Sequence, residues 1–228
     1  MIDKISNYMK YGKINDSIIR SDYIDFKDED VAEKWGEKHY YKWAQYYKDS
    51  MKVAQKKIRT SLVTASVECY CGYSYREINE YLRYDNSSED EEEKDSLYYL
   101  YREMSDILAI TLSMAPRVPN NVIVYRLVCD EFIKELIKNN KEGIPTLEKG
   151  FISTSLTAKI VESEEFYSDH NNMLKIYVKA NTVGIYVNGV AKRHEKELLL
   201  HPNGYFKLLK LPYEENNKMI YECELIYF

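Results

Sequence analysis

The sequence predicts an α+β fold in which a helical layer packs on a mostly antiparallel β part. Three observations carry that expectation. Apolar side chains recur at helical spacing through residues 1–115, up to the proline at Pro116. Beyond "RVPNN" the pattern changes to short β-branched runs, so residues 116–228 read mainly as strands. No internal repeat and no Gly/Ser/Pro-rich linker separates the two parts, and residues 1–228 therefore read as one domain.

Taken in order, a helix from Asp28 to about Met51 places Val31, Trp35, His39, Trp43 and Tyr47 on one apolar stripe. A shorter helix is expected from Ser74, because "SYRE" has the form of a capping box with Ser74 at the cap and Glu77 at its third position. "DNSSEDEEEKD", Asp85 to Asp95, reads as a solvated acidic loop whose carboxylates lack calcium-loop spacing. A third helix follows, with Leu97, Leu100, Met104, Ile107, Leu108 and Thr111 on one side, and Pro116 ends it. "VIVYRLV" is the first strand and "DEFIKELIKNN" a short helix. "GFISTSL", "MLKIYVK", "GIYVN", "KELLL", "YFKLLKL" and "MIYECELIYF" supply the remaining strands.

The formal net charge of −5 gives no global basic field, so nucleic acid is not an expected partner. No apolar run approaches the roughly 18 residues of a membrane span, and no direct membrane insertion is expected. The N-terminus lacks the continuous apolar segment of a secretory signal. The chain then acts where it is made, has lost a signal, or leaves by another route. Cys69, Cys71, Cys129 and Cys223 do not have zinc-ligand spacing and read as reduced or buried thiols. His39, His170 and His201 form no ligand set either, and no metal is expected.

Three strand-borne features could carry chemistry. Arg126, inside "VIVYRLV", is either an edge residue or, facing a cleft, a fork suited to phosphate oxygens. "GFISTSL" sets Ser153, Thr154 and Ser155 on a strand opened by Gly150, which alone reads as strand filler. "RHEKELLL" holds Glu195 and Glu197 two apart, on one face if the stretch is a strand. Alone, such a pair reads as solvated charge.

In this order and spacing, the arginine, Ser-Thr-Ser and Glu-x-Glu elements resemble the motif strands of the mono-ADP-ribosyltransferases. "YCGYSYREINEYLR", Tyr70 to Arg83, is similar to the helix before the core in the clostridial and bacillary toxins of that family. The resemblance is nearest to the catalytic subunits of the actin-modifying binary toxins, then to the C3-type toxins, and spans roughly Asp25 to Phe228.

The resemblance implies a two-sheet β-core of the ADP-ribosyltransferase type and NAD as the substrate. Glu197 would stabilise the sugar cation formed as nicotinamide leaves, and Ser153 would hold Glu197. Arg126 would bind the diphosphate. Tyr70, Tyr75 and Asn79 match positions lining the NAD site, although each also reads as core tyrosine or helix-face amide. Thr154 belongs to the same set, and Phe166 matches an aromatic near the nicotinamide. Arg76 and Arg83 read as phosphate contacts or as solvated charges. Glu195 would face the acceptor, and glutamate at that position goes with arginine acceptors. His194 invites a general-base role that the family does not use.

Two departures bear on the target. Lys192 stands where an aromatic is usual, in a loop about two residues longer than that of the relatives. The chain also leaves no room for the second, degenerate copy of the fold that serves binary toxins as adaptor. The expected activity is transfer of ADP-ribose from NAD to an arginine of a target protein, by a secreted or delivered toxin or effector, or an excised catalytic domain. Actin is the first target to test. A separate translocation component and a monomeric state are further expectations. Alternatives are an NAD glycohydrolase, a phage or intracellular transferase with a bacterial target, and a non-catalytic adaptor.

Overall fold

The computed structural model describes residues 2–58, 65–84, 96–159, 171–191 and 195–228. Helix α1 (Ile2–Tyr11) ends at Gly12, whose φ is +73. A Cβ there would meet Lys141 Cα at 2.6 Å, so the left-handed turn and the close approach both call for glycine. Helix α2 (Glu29–Ile58) starts after Asp28, whose Oδ1 accepts from the Asp30 and Val31 N–H groups at 2.9 and 3.1 Å.

The buried line of α2 is Ala32, Trp35, Gly36, Tyr40, Ala44 and Tyr47. The predicted stripe is met at Trp35 and Tyr47 and missed at Val31, which is exposed. His39 and Trp43 lie half-buried along its edge. A strict interval of four drifts around a helix of about 3.6 residues per turn. Small residues decide the contact face instead, because a Cβ on Gly36 would sit 2.3 Å from the Tyr186 ring.

Helix α3 (Ser66–Cys69) runs into a π-type turn, Tyr70–Ser74, kinked at Gly72 with φ −85 and ψ −109. Helix α4 (Tyr75–Arg83) follows from the kink. The Ser74 side chain makes no capping bond. The helix therefore starts where the sequence predicts, but the kink at Gly72 rather than a capping box sets its beginning. Helix α5 (Ser96–Met114) buries Met104, Leu108 and Leu112, while Leu97 is exposed.

Strand β1 (Val122–Val128) leads to helix α6 (Asp130–Lys141), then to β2 (Thr146–Glu148), β3 (Ile152–Ser155), β4 (Asn172–Val178) and β5 (Gly184–Tyr186). The chain closes with β6 (Glu197–Leu200), β7 (Gly204–Leu208), β8 (Tyr213–Glu215) and β9 (Lys218–Ile226). β8 and β9 form a hairpin on Asn216 and Asn217, both at positive φ, the combination that a two-residue turn of this hand requires. β2 and β8, at three residues each, are too short to show a period-two pattern and escape the sequence reading.

Hydrogen bonding joins the strands in the order β2-β7-β9-β4-β1-β3-β6-β5, with β8 on β9. Among the described strands every ladder is antiparallel except β4 with β9. In place of the expected two sheets, the described strands form one continuous nine-stranded sheet, mostly antiparallel as predicted. β1 pairs with β4 along its whole length but with β3 only at Tyr125 opposite Ser155.

β1 is buried on both faces. Val122, Val124 and Val128 join the main core with the helices, and Ile123, Tyr125 and Leu127 join a smaller core on the reverse face. Alternation sends Arg126 to the side of Val124 and Val128, into the interior rather than to an edge.

Candidate active site

Antiparallel pairing of β3 and β6 sets Ser153 opposite Leu199 and Ser155 opposite Glu197. Ser153 and Glu197 are thus diagonal neighbours on one face, within reach of each other. Ser153 Oγ donates to Glu197 Oε1 at 2.5 Å, and Glu197 is only 1% exposed. Leu198, Leu199 and Leu200 are fully buried, so the strand carrying the carboxylate is anchored by its own side chains. Thr154 points to the other face, where its hydroxyl donates to the Leu198 carbonyl at 2.6 Å. It belongs to the strand pairing and is not brought together with Ser153 and Glu197.

Glu195 lies outside the strand. The Glu197 N–H donates to the Glu195 carbonyl at 2.7 Å, a tight turn that ends where β6 begins. Strand alternation therefore does not by itself set the direction of Glu195. Between the two glutamates, Lys196 Nζ lies 2.7 Å from Glu33 Oε2 on α2, and the Lys196 carbonyl accepts from Leu156 N–H at 2.9 Å.

Arg126 meets a residue the sequence reading overlooks. Its Nη2 lies 3.3 Å from Glu148 Oε2. Glu148, at the end of β2, is 5% exposed and is also gripped by Arg83: Nε to Oε1 at 2.9 Å and Nη2 to Oε2 at 2.9 Å. The Gly150 N–H adds a fourth bond at 2.9 Å. Burial alone would raise the Glu148 pKa, but Arg126, Arg83 and the Gly150 N–H outweigh it and hold the carboxyl below its ordinary range. Arg126 Nη1 is buried and has no hydrogen-bond partner among the described residues. A buried guanidinium nitrogen left unsatisfied is suited to an anionic ligand, and a dinucleotide diphosphate fits this donor set.

Asn79 ties the helices to this corner. Its Nδ2 donates to Tyr70 Oη at 2.9 Å, and its Oδ1 accepts from Phe151 N–H at 2.8 Å. Tyr70 is 2% exposed and packs edge-on against Phe151 at 5.5 Å and Tyr75 at 6.5 Å between ring centroids. Burial, with the Glu197 carboxylate next, pushes the Tyr70 phenol up, so it stays neutral. Tyr75 is half-buried, and its hydroxyl accepts from Arg76 Nε at 2.9 Å.

The structure thus gathers Ser153 with Glu197, Arg126 with Arg83 and Glu148, and Tyr70 with Asn79 and Tyr75. Phe166 lies outside the described residues, as do Lys192, Arg193, His194, His170 and the acidic run Asp85–Asp95. Among the described residues no group of His, Cys, Asp and Glu could hold a metal ion. Glu148 leaves one faint trace in the sequence, an acidic residue two positions before the glycine that opens "GFISTSL".

A helical layer over this strand order, with the arginine, Ser-Thr-Ser and glutamate strands adjacent, defines a fold of the mono-ADP-ribosyltransferase class. The chain belongs to the ADP-ribosyltransferase exoenzyme family, whose model matches residues 32–225. That family carries out NAD-dependent ADP-ribosylation, and NAD is the substrate against which the site is read.

Solved structures agree on the fold. The ADP-ribosylating toxin BECa of a C. perfringens binary enterotoxin, determined with NADH, superposes with a TM-score of 0.64 at 20% identity, over 90% of this chain and 50% of its own. The C3 exoenzyme of Clostridium limosum gives 0.61 at 17%, over 90% of this chain and 98% of its own. Plx2a, an ADP-ribosyltransferase toxin from Paenibacillus larvae, gives 0.62 at 16%, over 90% and 100%. The chain therefore spans about half the length of BECa and nearly all of the other two. Comparison with curated protein sequences finds no match.

Proposed function

We propose that the chain is one catalytic domain that transfers ADP-ribose from NAD to an arginine side chain of a target protein, as a bacterial toxin or effector. The observation that carries the reading is the buried Glu197 carboxylate held by Ser153 beside the arginine cluster. Breaking the bond between nicotinamide and ribose develops positive charge on the sugar. A fixed carboxylate in a site closed to water stabilises that charge more in the transition state than in the ground state. Glu197 takes this role, and Ser153 keeps one of its oxygens in place.

Arg126, with Arg83 beside it, takes the diphosphate and so fixes where the ribose sits. The neutral Tyr70, with Tyr75 and Asn79, forms the wall against which the dinucleotide is oriented. Glu195, on the turn at the mouth of β6, accepts from the incoming guanidinium and removes a proton as its nitrogen attacks. Glutamate rather than glutamine there supports arginine as the acceptor, and actin is the first target to test. A separate translocation component is the further partner to test.

The test is incubation with labelled NAD and either host-cell or bacterial lysate, followed by mass spectrometry of the labelled protein. Label on arginine is the expected result. Label on asparagine or cysteine refutes the role of Glu195, and neither label nor released nicotinamide sinks the enzyme reading. Release of nicotinamide without label points to hydrolysis of NAD.

A further inference from the structure

We infer that Glu148 is a positioning residue for the substrate: it fixes Arg126 and Arg83 in the geometry that receives the NAD diphosphate. This rests on the NAD reading above and adds to it a residue that no motif of the family resemblance contains. Four donors converge on one buried carboxylate: Arg126 Nη2, Arg83 Nε, Arg83 Nη2 and the Gly150 N–H. Two guanidiniums against one carboxylate leave the cluster one positive charge in excess, in a place where charge is costly unless it is matched. Arg126 Nη1, buried and without a partner among the described residues, is where the excess is directed. A diphosphate supplies both the missing charge and the missing acceptor.

The placement of Glu148 couples the two ends of the substrate. Its Oε1 holds the Gly150 N–H, and the next N–H, that of Phe151, is held by Asn79, which also holds Tyr70. That short turn delivers β3 and so Ser153. A Cβ on Gly150 would lie 2.8 Å from Asn79 Oδ1 and 3.2 Å from Glu148 Oε1, so the turn leaves no slack between them. Glu148 holds Arg83, whose side chain is 45% exposed, through two bonds of 2.9 Å, and Arg126, at 17%, through one of 3.3 Å. Apolar side chains in place of the whole Arg83–Glu148–Arg126 cluster would fill the space at no greater cost in stability. A buried acid shared by two arginines is better accounted for by the orientation it imposes.

The test compares wild type, Glu148→Gln, Glu148→Asp and Arg83→Met by calorimetric NAD binding, by the NAD-induced rise in melting temperature and by nicotinamide release. Glu148→Gln keeps the shape and removes the charge. Its NAD Kd and KM are expected to rise about 10–100-fold, as for other residues that orient a binding group, while kcat at saturating NAD changes far less. Glu148→Asp is expected to recover part of the affinity, and Arg83→Met to lose part of it. A purely structural Glu148 would lower the melting temperature and leave the NAD-induced increment intact, which overturns the inference. Unchanged Kd in the variants, or a fall in kcat at unchanged Kd, overturns it as well. Should Glu148→Gln not fold, the aspartate and Arg83 variants decide by the same readings. Failure of the wild type to bind NAD removes the proposed function itself, whereas wild-type binding shared equally by all variants removes only the role of Glu148.

Discussion

Ser153 Oγ donates to Glu197 Oε1 at 2.5 Å, across the diagonal of two antiparallel strands, one of them anchored by three buried leucines. The bond adds to burial in holding one rotamer of this carboxylate. Ser153→Ala removes this constraint and leaves the charge. Misplacement of a reacting group by about an ångström costs on the order of 10²-fold, so nicotinamide release should fall about 10–100-fold in kcat with little change in the KM for NAD. Steady-state kinetics on the folded variant checks it, and a pure KM effect would move Ser153 from orienting Glu197 to binding NAD.

The two glutamates should separate by reaction. Glu197→Gln removes the charge opposite the sugar cation, and both transfer and NAD hydrolysis should fall by about 10²–10³-fold, the scale of losing one preorganised electrostatic partner. Glu195→Gln should abolish arginine transfer while hydrolysis persists, because water needs no guanidinium acceptor site. Parallel assays of labelled target and of free nicotinamide distinguish them. Identical profiles would mean that the turn at Glu195 and the strand at Glu197 serve one function.

What the sequence makes legible here, and what it does not, follows from the range of the interactions. Ser153, Arg126 and Glu197 sit on strands whose apolar neighbours make the strands themselves legible, while their expected roles come from the family resemblance of the three motifs. Glu148 is different: its partners Arg83 and Arg126 lie 65 and 22 positions away, and nothing local marks it as buried. The stripe of α2 was displaced for a similar reason, since Ala32, Gly36 and Ala44 face the core through their lack of bulk, which hydropathy does not weigh. Glu195 shows the limit of the period-two argument, which holds inside β6 and stops one residue before it matters.

Lys196 is read most simply as a tether. Its Nζ reaches Glu33 on α2 at 2.7 Å, away from the strand that carries Glu197, and its side chain is 15% exposed. Lys196→Met or Glu33→Gln should cost only about 0.2–1 kcal/mol of stability, as expected for one partly exposed pair. Arginine transfer should fall more than hydrolysis in either variant, since the turn bearing Glu195 would lose its anchor. The double variant should be no worse than the poorer single one, because both changes break the same contact. Additive losses in urea unfolding and transfer assays would show that the two residues act independently.

On the reverse face, away from the proposed NAD site, Glu222 provides a control for stability without catalysis. Arg20 Nη2 and Nε lie 2.8 and 3.0 Å from its Oε2, Tyr177 donates to the same oxygen at 3.0 Å, and Tyr213 donates to Oε1 at 3.0 Å. Burial alone would raise its pKa, but the bonds from Arg20, Tyr177 and Tyr213 prevail and hold the carboxyl below its ordinary range. A folded pKa lowered in this way contributes stability above the unfolded value, about 4.3 for glutamate, and loses it as pH falls through the folded value. Glu222→Gln should therefore destabilise by about 1–3 kcal/mol at pH 7, the cost of a lost charged acceptor. The gap to wild type should narrow as the pH falls below about 4.3, where the carboxyl of the unfolded chain takes up its proton, and close as the pH passes the lower folded value. Urea unfolding at both pH values measures the gap, and nicotinamide release at neutral pH should keep its wild-type kcat. A gap that stays constant with pH would place the cost in packing around Glu222 instead of in its charge.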